Sequence, residues 1–232
     1  MIKILYEDNH IIACEKPAGV LTQGDKSGEA SLMDMVKDYL KEKYKKPGNV
    51  FLGLVHRLDK PVQGIVLFGK TSKGASRLSE QFRNHTIQKT YHAIVLGKME
   101  KQKGELKEKI NKISFFAQGF GEKSDEELLE EIKKATKTRT AELSWEVVRE
   151  NNKYSLLKIM PKTGRFHQIR VQMAETGHPI LGDKKYSKIN TPEWKDANSI
   201  ALCATAIEFE TATENKSIKL EIPLPENWKR YF

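Results

Sequence analysis

An α+β fold is predicted for this 232-residue chain by three features of its patterning. Short apolar runs bounded by turn residues outnumber helical stretches. The helical stretches are few and amphipathic. Two pairs of neighbouring strand-like runs are joined by polar segments of hairpin length. A chain of this length can bury roughly 70% of the surface its unfolded form exposes, so one domain spanning 1–232 is expected.

In chain order, Ile2–Tyr6 and Ile11–Cys14 are apolar runs separated by Glu7-Asp8-Asn9-His10, the composition of a turn, and are expected to pair as strands. Glu15-Lys16-Pro17-Ala18-Gly19 breaks the second run. Over Ser31–Tyr44, Leu32, Met33, Val36, Tyr39 and Leu40 recur at helical spacing, and Pro47-Gly48 stops the helix. Asp59, Pro61 and Gly64 then punctuate a turn into the strand Ile65–Phe68, and Ser72–His85 returns to helical spacing with a basic outer face of Lys73, Arg77 and Arg83. Gln88–Gly97 reads as a strand on which Tyr91, Ala93 and Val95 share one face.

Residues 98–140 carry little pattern and are expected to be a surface insertion, with a helix started by the capping-box spacing at Ser124. Ala141–Val148 alternates as a half-exposed strand, and Tyr154–Met160 is its hairpin partner. Thr163-Gly164 is expected to turn into a helix carrying Ile169, Met173 and Ala174, which puts Arg165 and His167 at the helix start. Ile200–Phe209 and Ile218–Ile222 close the chain as strands before Pro223 and Pro225.

Composition narrows the function classes. Forty Lys and Arg against 31 Asp and Glu leave a net charge of +9, which suits either a solvated basic surface or a polyanionic partner such as nucleic acid. Cys14 and Cys203 stand alone, away from any short Cys/His ligand spacing, and are expected to be small buried hydrophobes. No leader-like apolar stretch opens the chain and no run of about 18 apolar residues occurs, so a cytoplasmic protein without membrane contact is expected.

Two stretches carry candidate chemistry. In His56-Arg57-Leu58-Asp59, Asp59 either opens a turn through its own side chain or presents a reactive carboxylate. In Gly164-Arg165-Phe166-His167, an arginine at a helix start opposes the helix dipole, so a carboxylate or phosphate should lie beside it. Lys16, where the chain leaves the sheet, is either solvated or a phosphate contact. The carboxylates do not cluster with histidines as a metal-dependent nuclease requires. A glycosidase would need a second placed carboxylate, for which Asp183 is the nearest candidate.

Taken in order, His56-Arg57-Leu58-Asp59, Lys89-Thr90-Tyr91-His92-Ala93, Thr163-Gly164-Arg165-Phe166-His167-Gln168-Ile169-Arg170 and Gly177-His178-Pro179-Ile180 with Gly182-Asp183 resemble the successive motifs of the RluA family of RNA pseudouridine synthases. Glu15-Lys16-Pro17-Ala18-Gly19 is similar to that family's opening. The resemblance runs from about residue 2 to 225 and implies a long bent, mostly antiparallel mixed sheet flanked by helices, with a central basic cleft. It implies isomerisation of selected uridines in structured rRNA or tRNA, with no metal or other cofactor. The few residues before Asp8 leave no room for the separate N-terminal RNA-binding module that several relatives carry, so a catalytic domain acting alone is expected, as a monomer needing no protein partner. By resemblance Asp59 is the catalytic carboxylate, Arg165 its counter-ion and Tyr91 the ring that stacks on the target base. Arg57, Lys16, Arg170 and His56 are expected to hold RNA. Where many members have Thr-Ser-Gly after the aspartate, this chain has Val62-Gln63-Gly64, and Cys203 stands where a histidine often lies. The competing reading is a non-catalytic RNA-binding module on the same scaffold.

Overall fold

The computed structural model describes residues 2–26, 28–110, 139–187, 189, 191, 194–214 and 216–232. The strands are β1 (Lys3–Glu7), β2 (Ile11–Lys16), β3 (Gly53–Leu54), β4 (Gln63–Gly69), β5 (Gln88–Leu96), β6 (Lys103–Ile110), β7 (Arg139–Glu150), β8 (Tyr154–Pro161), β9 (Leu202–Glu210) and β10 (Ser217–Glu221). The helices are α1 (Leu32–Lys43), α2 (Ser72–Arg83) and α3 (Gln168–Glu175), with a 3₁₀ helix at Glu226–Tyr231. The strands form one mixed sheet in the order β1-β2-β4-β9-β5-β8-β7-β6, with β3 added to β4 and β10 to β9. Every pairing is antiparallel except that of β4 with β9. This is the expected α+β fold.

Local chemistry explains the elements. β2 and β4 are interior strands covered on both faces, so Ile11, Ile12, Ala13 and Cys14, and Ile65 to Phe68, are buried in unbroken runs. Ser31 caps α1 by accepting from Asp34 N, while the Asp34 carboxylate accepts from Ser31 N at 3.0 Å. Leu32, Val36 and Leu40 of that helix are buried in the main hydrophobic cluster. Both cysteines are buried and free. No helix among the described residues is long and apolar enough to cross a membrane.

The middle of the sheet is a fork. The parallel contact between β4 and β9 lasts only for Gln63 against Cys203 and Gly64 against Ala204. Beyond it β4 turns the same edge to β3, and β9 turns its edge to β10. At the fork the backbones approach so closely that a Cβ on Gly64, whose φ is +135°, would sit 2.4 Å from the carbonyl oxygen of Ala204. Helix α2 packs beside it, with Ala75 against Gly53 and Gly69.

Two stretches differ from expectation, and a third cannot be compared. Lys103–Ile110, within the expected insertion, is an edge strand paired along its whole length with β7. Lys103, Glu105, Lys107 and Lys109 are exposed on one face, and on the other Leu106, packed against the core, stands between Gly104 and Glu108, too short an apolar signal to mark a strand. The helix expected from Ser124 lies outside the described residues. Regular structure continues past Pro225 into the 3₁₀ helix, which buries Trp228 and Tyr231.

Gly64→Ala is expected to destabilise the fold by about 3 kcal/mol or more, since neither the φ nor the approach of Ala204 leaves room for a methyl group. A shift in urea midpoint at unchanged m-value measures it; a loss below about 1 kcal/mol contradicts a tight fork.

Candidate active site

Asp59 lies in the loop entering β4, where Val62 N donates to Asp59 O at 3.0 Å to close the turn. Its neighbours are locked from both sides. The Thr22 hydroxyl accepts from Leu58 N at 3.1 Å and donates to Leu58 O at 2.8 Å. Lys60 O accepts from Gly19 N at 2.8 Å and from Lys16 Nζ at 3.1 Å. Lys16 also donates to Pro17 O at 2.9 Å and Val20 O at 2.7 Å. That corrects the expected RNA contact: Lys16 is fully buried, its three ammonium protons matched by three carbonyls, and burial pulls its pKa down to about 7 against the attraction of Asp59.

The partner of Asp59 is Arg170, whose Nη1 lies 3.2 Å from Asp59 Oδ2. The same guanidinium grips Asp183 through Nε to Oδ2 at 2.7 Å and Nη2 to Oδ1 at 2.8 Å. Arg170 and Asp183 are almost sealed, with 6% and 1% of their side chains exposed, whereas Asp59 keeps 23%. Arg170 is thus an internal counter-ion and not the expected RNA contact, and Asp183 is its anchor, not a free second carboxylate. Burial pushes the Asp59 pKa above the usual carboxylate value, although Arg170 and Lys16 pull the other way. Burial opposes the charge on Arg170, but the bonds to Asp183 and Asp59 outweigh it and hold its pKa up.

Local structure explains why the other arginine does not pair. Helix α3 begins at Gln168, not at Arg165, because the Gln168 side-chain oxygen accepts from Arg165 N at 3.0 Å and Thr163 Oγ1 at 2.7 Å, holding 163–167 as a turn. Arg165 donates instead to Thr140 O at 3.1 Å while lining the cleft. The demand for an anion near the helix start is real, but it belongs to Arg170 in the first turn. Asp183 reaches that turn because the segment after α3 docks on β5: Leu96 N donates to Pro179 O and Leu181 N to Ile94 O.

A cleft of about 110 Å³ opens at the middle of the sheet, lined among others by Arg57, Asp59, Val62, Lys89, Tyr91, Arg165, Arg170 and Leu202. That volume is far below the roughly 300–1,000 Å³ of drug-sized sites and suits a single flat ring. Tyr91 reaches it from β5 beside a register shift between Thr90 and Tyr91, with its hydroxyl pKa raised by burial and by Asp59. Lys89, half-buried, has its pKa lowered to about 8 by burial. Arg57 is exposed at the mouth. His56, expected on RNA, faces inward: its Nε2 accepts from Leu67 N at 2.8 Å and its ring lies 4.7 Å from that of Phe82. The two departures from the family pattern meet each other, since Gln63 stands opposite Cys203 across the parallel joint.

Sequence reasoning missed that His167 Nε2 lies 3.3 Å from Asp59 Oδ2 and that Tyr186 flanks it. The available signal was that Gln168, Arg170 and Gln172 leave α3 no polar stripe, so a helix buried all round had to pair its polar residues internally.

Compared with known families, residues 10–175 match the model of RNA pseudouridylate synthase. The chain belongs to that family. Among its curated relatives, the tRNA pseudouridine synthase C of Vibrio parahaemolyticus is 30% identical over 100% of this chain and 94% of its own length, and that of Haemophilus ducreyi is 32% identical with the same coverage. A ribosomal large subunit pseudouridine synthase C from Buchnera aphidicola is 30% identical over 99% of this chain and 69% of its own length. In fold, human RNA pseudouridylate synthase domain containing 4 superposes with a TM-score of 0.76 at 20% identity, covering 98% of this chain and 90% of that one. As a pseudouridine synthase, the chain is an isomerase acting on RNA.

The electrostatics of the synthase make a sign-specific prediction. A carboxyl with a raised folded pKa adds stability below its unfolded pKa of about 3.9 and loses that advantage as pH rises through the folded value. Asp59→Asn is therefore expected to match or exceed the parent in Tm at pH 7, with the gap closing toward pH 4. Arg170→Met, which strands buried Asp183, should lose about 3–5 kcal/mol. Melting curves from pH 4 to 8 check both; an Asp59→Asn variant less stable at pH 7 than at pH 4, relative to the parent, contradicts the assignment.

Proposed function

We propose that this synthase converts uridine to pseudouridine in a structured tRNA, with Asp59 as the acting carboxylate, Arg170 as its counter-ion and Tyr91 as the wall on which the base stacks. The observation that carries the reading is the Asp59–Arg170 contact at 3.2 Å at the floor of a ring-sized cleft that Tyr91 also lines. The tRNA enzymes match nearly their full length with this chain, against 69% for the ribosomal relative, which favours tRNA over rRNA as substrate.

The reaction breaks the bond from uracil N1 to the sugar's anomeric carbon, turns the base over and joins C5 to that carbon; C5 gives up a proton and N1 gains one, so no atom is added or lost. Attack on the sugar, attack on the ring and removal of a sugar proton all start from ionised Asp59. The target must leave its stack to reach the cleft. Of the ionisable groups lining it, Arg57, Lys89, Arg165 and Arg170 are cationic against the single carboxylate of Asp59, which suits the phosphates flanking an extruded nucleotide. The apolar Val62 and Leu202 complete the lining that keeps the detached base in place.

Incubation with tRNA lacking this modification and with rRNA as the second arm, without added metal, followed by mapping of pseudouridine through a chemical adduct, tests the proposal. The parent should modify a defined tRNA position. Asp59→Asn should lose product by about 10³-fold or more while retaining RNA within a few-fold. Arg57→Ala should weaken RNA binding and lower the salt slope by about one. Product from Asp59→Asn removes the carboxylate role, modification of rRNA alone moves the substrate, and RNA retention without product from the parent supports the binding-module reading.

A further inference from the structure

The contacts of the catalytic loop single out a residue that neither the sequence motifs nor the ion triad explain. His167 is the N-cap position of α3, yet its side chain makes no capping bond, and its backbone is left-handed at φ 51°, ψ 23°. A non-glycine residue held in that region beside a reacting group is over-determined by its surroundings. The ring stacks on Phe166 at 3.8 Å and 17°, meets Tyr186 edge-on at 5.6 Å, has Nδ1 2.7 Å from the Tyr186 hydroxyl, and has Nε2 3.3 Å from Asp59 Oδ2.

We infer that His167 is a positioning residue for Asp59: a neutral imidazole protonated on Nε2 donates to Asp59 Oδ2, its tautomer set by the Tyr186 hydroxyl donating to Nδ1. The opposite tautomer would turn a ring lone pair toward the carboxylate, and an imidazolium would stand among cations. Among the described residues, the charged and titratable groups around the ring include Asp59, Arg170, Lys185 and Tyr186. Burial, Arg170 and Lys185 together bring the His167 pKa down to about 3, so the ring is uncharged at working pH. Arg170 lies 5.0 Å over the Tyr186 ring, and Lys185 Nζ is 5.9 Å from the Phe166 ring and 5.8 Å from that of Tyr186, which ties the aromatic trio to the ion triad.

A consequence concerns the reacting atom. Arg170 and His167 both address Oδ2, and Oδ1 of Asp59 has no donor among the described residues. Two fixed donors on one oxygen prevent the carboxylate from rotating, and Oδ1 becomes the oxygen that meets the nucleotide.

This inference rests on the proposed catalytic role of Asp59, and its test separates the two. In the protein alone, nitrogen–proton correlation of the histidine rings should show His167 as the Nε2–H tautomer, neutral from pH 5 to 8; the Nδ1–H tautomer overturns the inference whatever the activity. In turnover, His167→Asn keeps a residue that tolerates the left-handed backbone but has no atom at the Nε2 position. It should lose about 10- to 100-fold in kcat, as expected for one hydrogen bond to a charged group, with KM for tRNA within about 2-fold. Its acid limb should move to higher pH, because a donor that favours the ionised carboxylate is gone. His167→Gln, whose amide reaches the Nε2 position, should recover kcat to within about 5-fold of the parent. Parent-like kcat in His167→Asn, equal losses in the two variants, or an unmoved acid limb overturns the inference. Absence of product from the parent removes the proposed function instead, and the tautomer measurement still decides the hydrogen bond.

Discussion

The buried guanidinium of Arg170, shared between Asp59 and Asp183, is the constraint on which the rest of the structure depends. Desolvating three charges is costly, and such a group persists only where its donors are met with good geometry. The fold supplies that geometry in parts. Helix α3 carries Arg170 in its first turn, the docking of residues 179–181 on β5 brings Asp183 under it, and the turn into β4 brings Asp59 alongside. Asp183 takes the two short bonds and Asp59 the longer one, so the anchoring carboxylate is sealed while the other stays partly exposed and keeps a raised pKa. The triad carries a net negative charge at the bottom of a cleft whose mouth is cationic.

What surrounds the triad is stiff. Leu58 and Lys60, on either side of Asp59, have backbone groups held by Thr22, Gly19 and Lys16. The cleft sits where the sheet forks, and Gly64 allows β9 to approach closely enough to close the fork. Val62 is buried against the cleft, and its neighbour Gln63 faces Cys203 across the parallel joint. The two positions where this chain departs from the motifs it otherwise resembles therefore face each other across that joint. Precise placement of a single carboxylate accounts for so much rigidity: a misplacement of about 1 Å can lower a rate 10²-fold.

The fold was largely legible in the sequence because period-2 and period-3.6 patterns mark most strands and α1 and α2. β6 is hard to read because its inner face interrupts Leu106 with Gly104 and Glu108, which leaves too little apolar alternation to mark a strand. At the site, Asp59, Tyr91 and Arg57 lie on the cleft as the motifs suggest. The arginine that pairs with Asp59 is Arg170 and not Arg165, the residue the resemblance implies; a side-chain amide, Gln168, delays the helix start past Arg165. Lys16, expected where the chain leaves the sheet, and His56, expected on RNA by resemblance, both turn inward. The structure instead spends their hydrogen-bonding capacity on backbone carbonyls and a backbone N–H, a use that residue type alone does not reveal. Asp183 and His167 owe their places to a helix buried on every side, which weak amphipathicity signals only indirectly.

A structure of the Asp59→Asn variant bound to unmodified tRNA tests the central claim most directly. The account predicts one uridine out of its stack, its ring against Tyr91 and its glycosidic bond within about 3.5 Å of the residue 59 side chain, with Arg170 still gripping Asp183. A target uridine that stays stacked, or one seated away from residue 59 while the cleft stands empty, would contradict it.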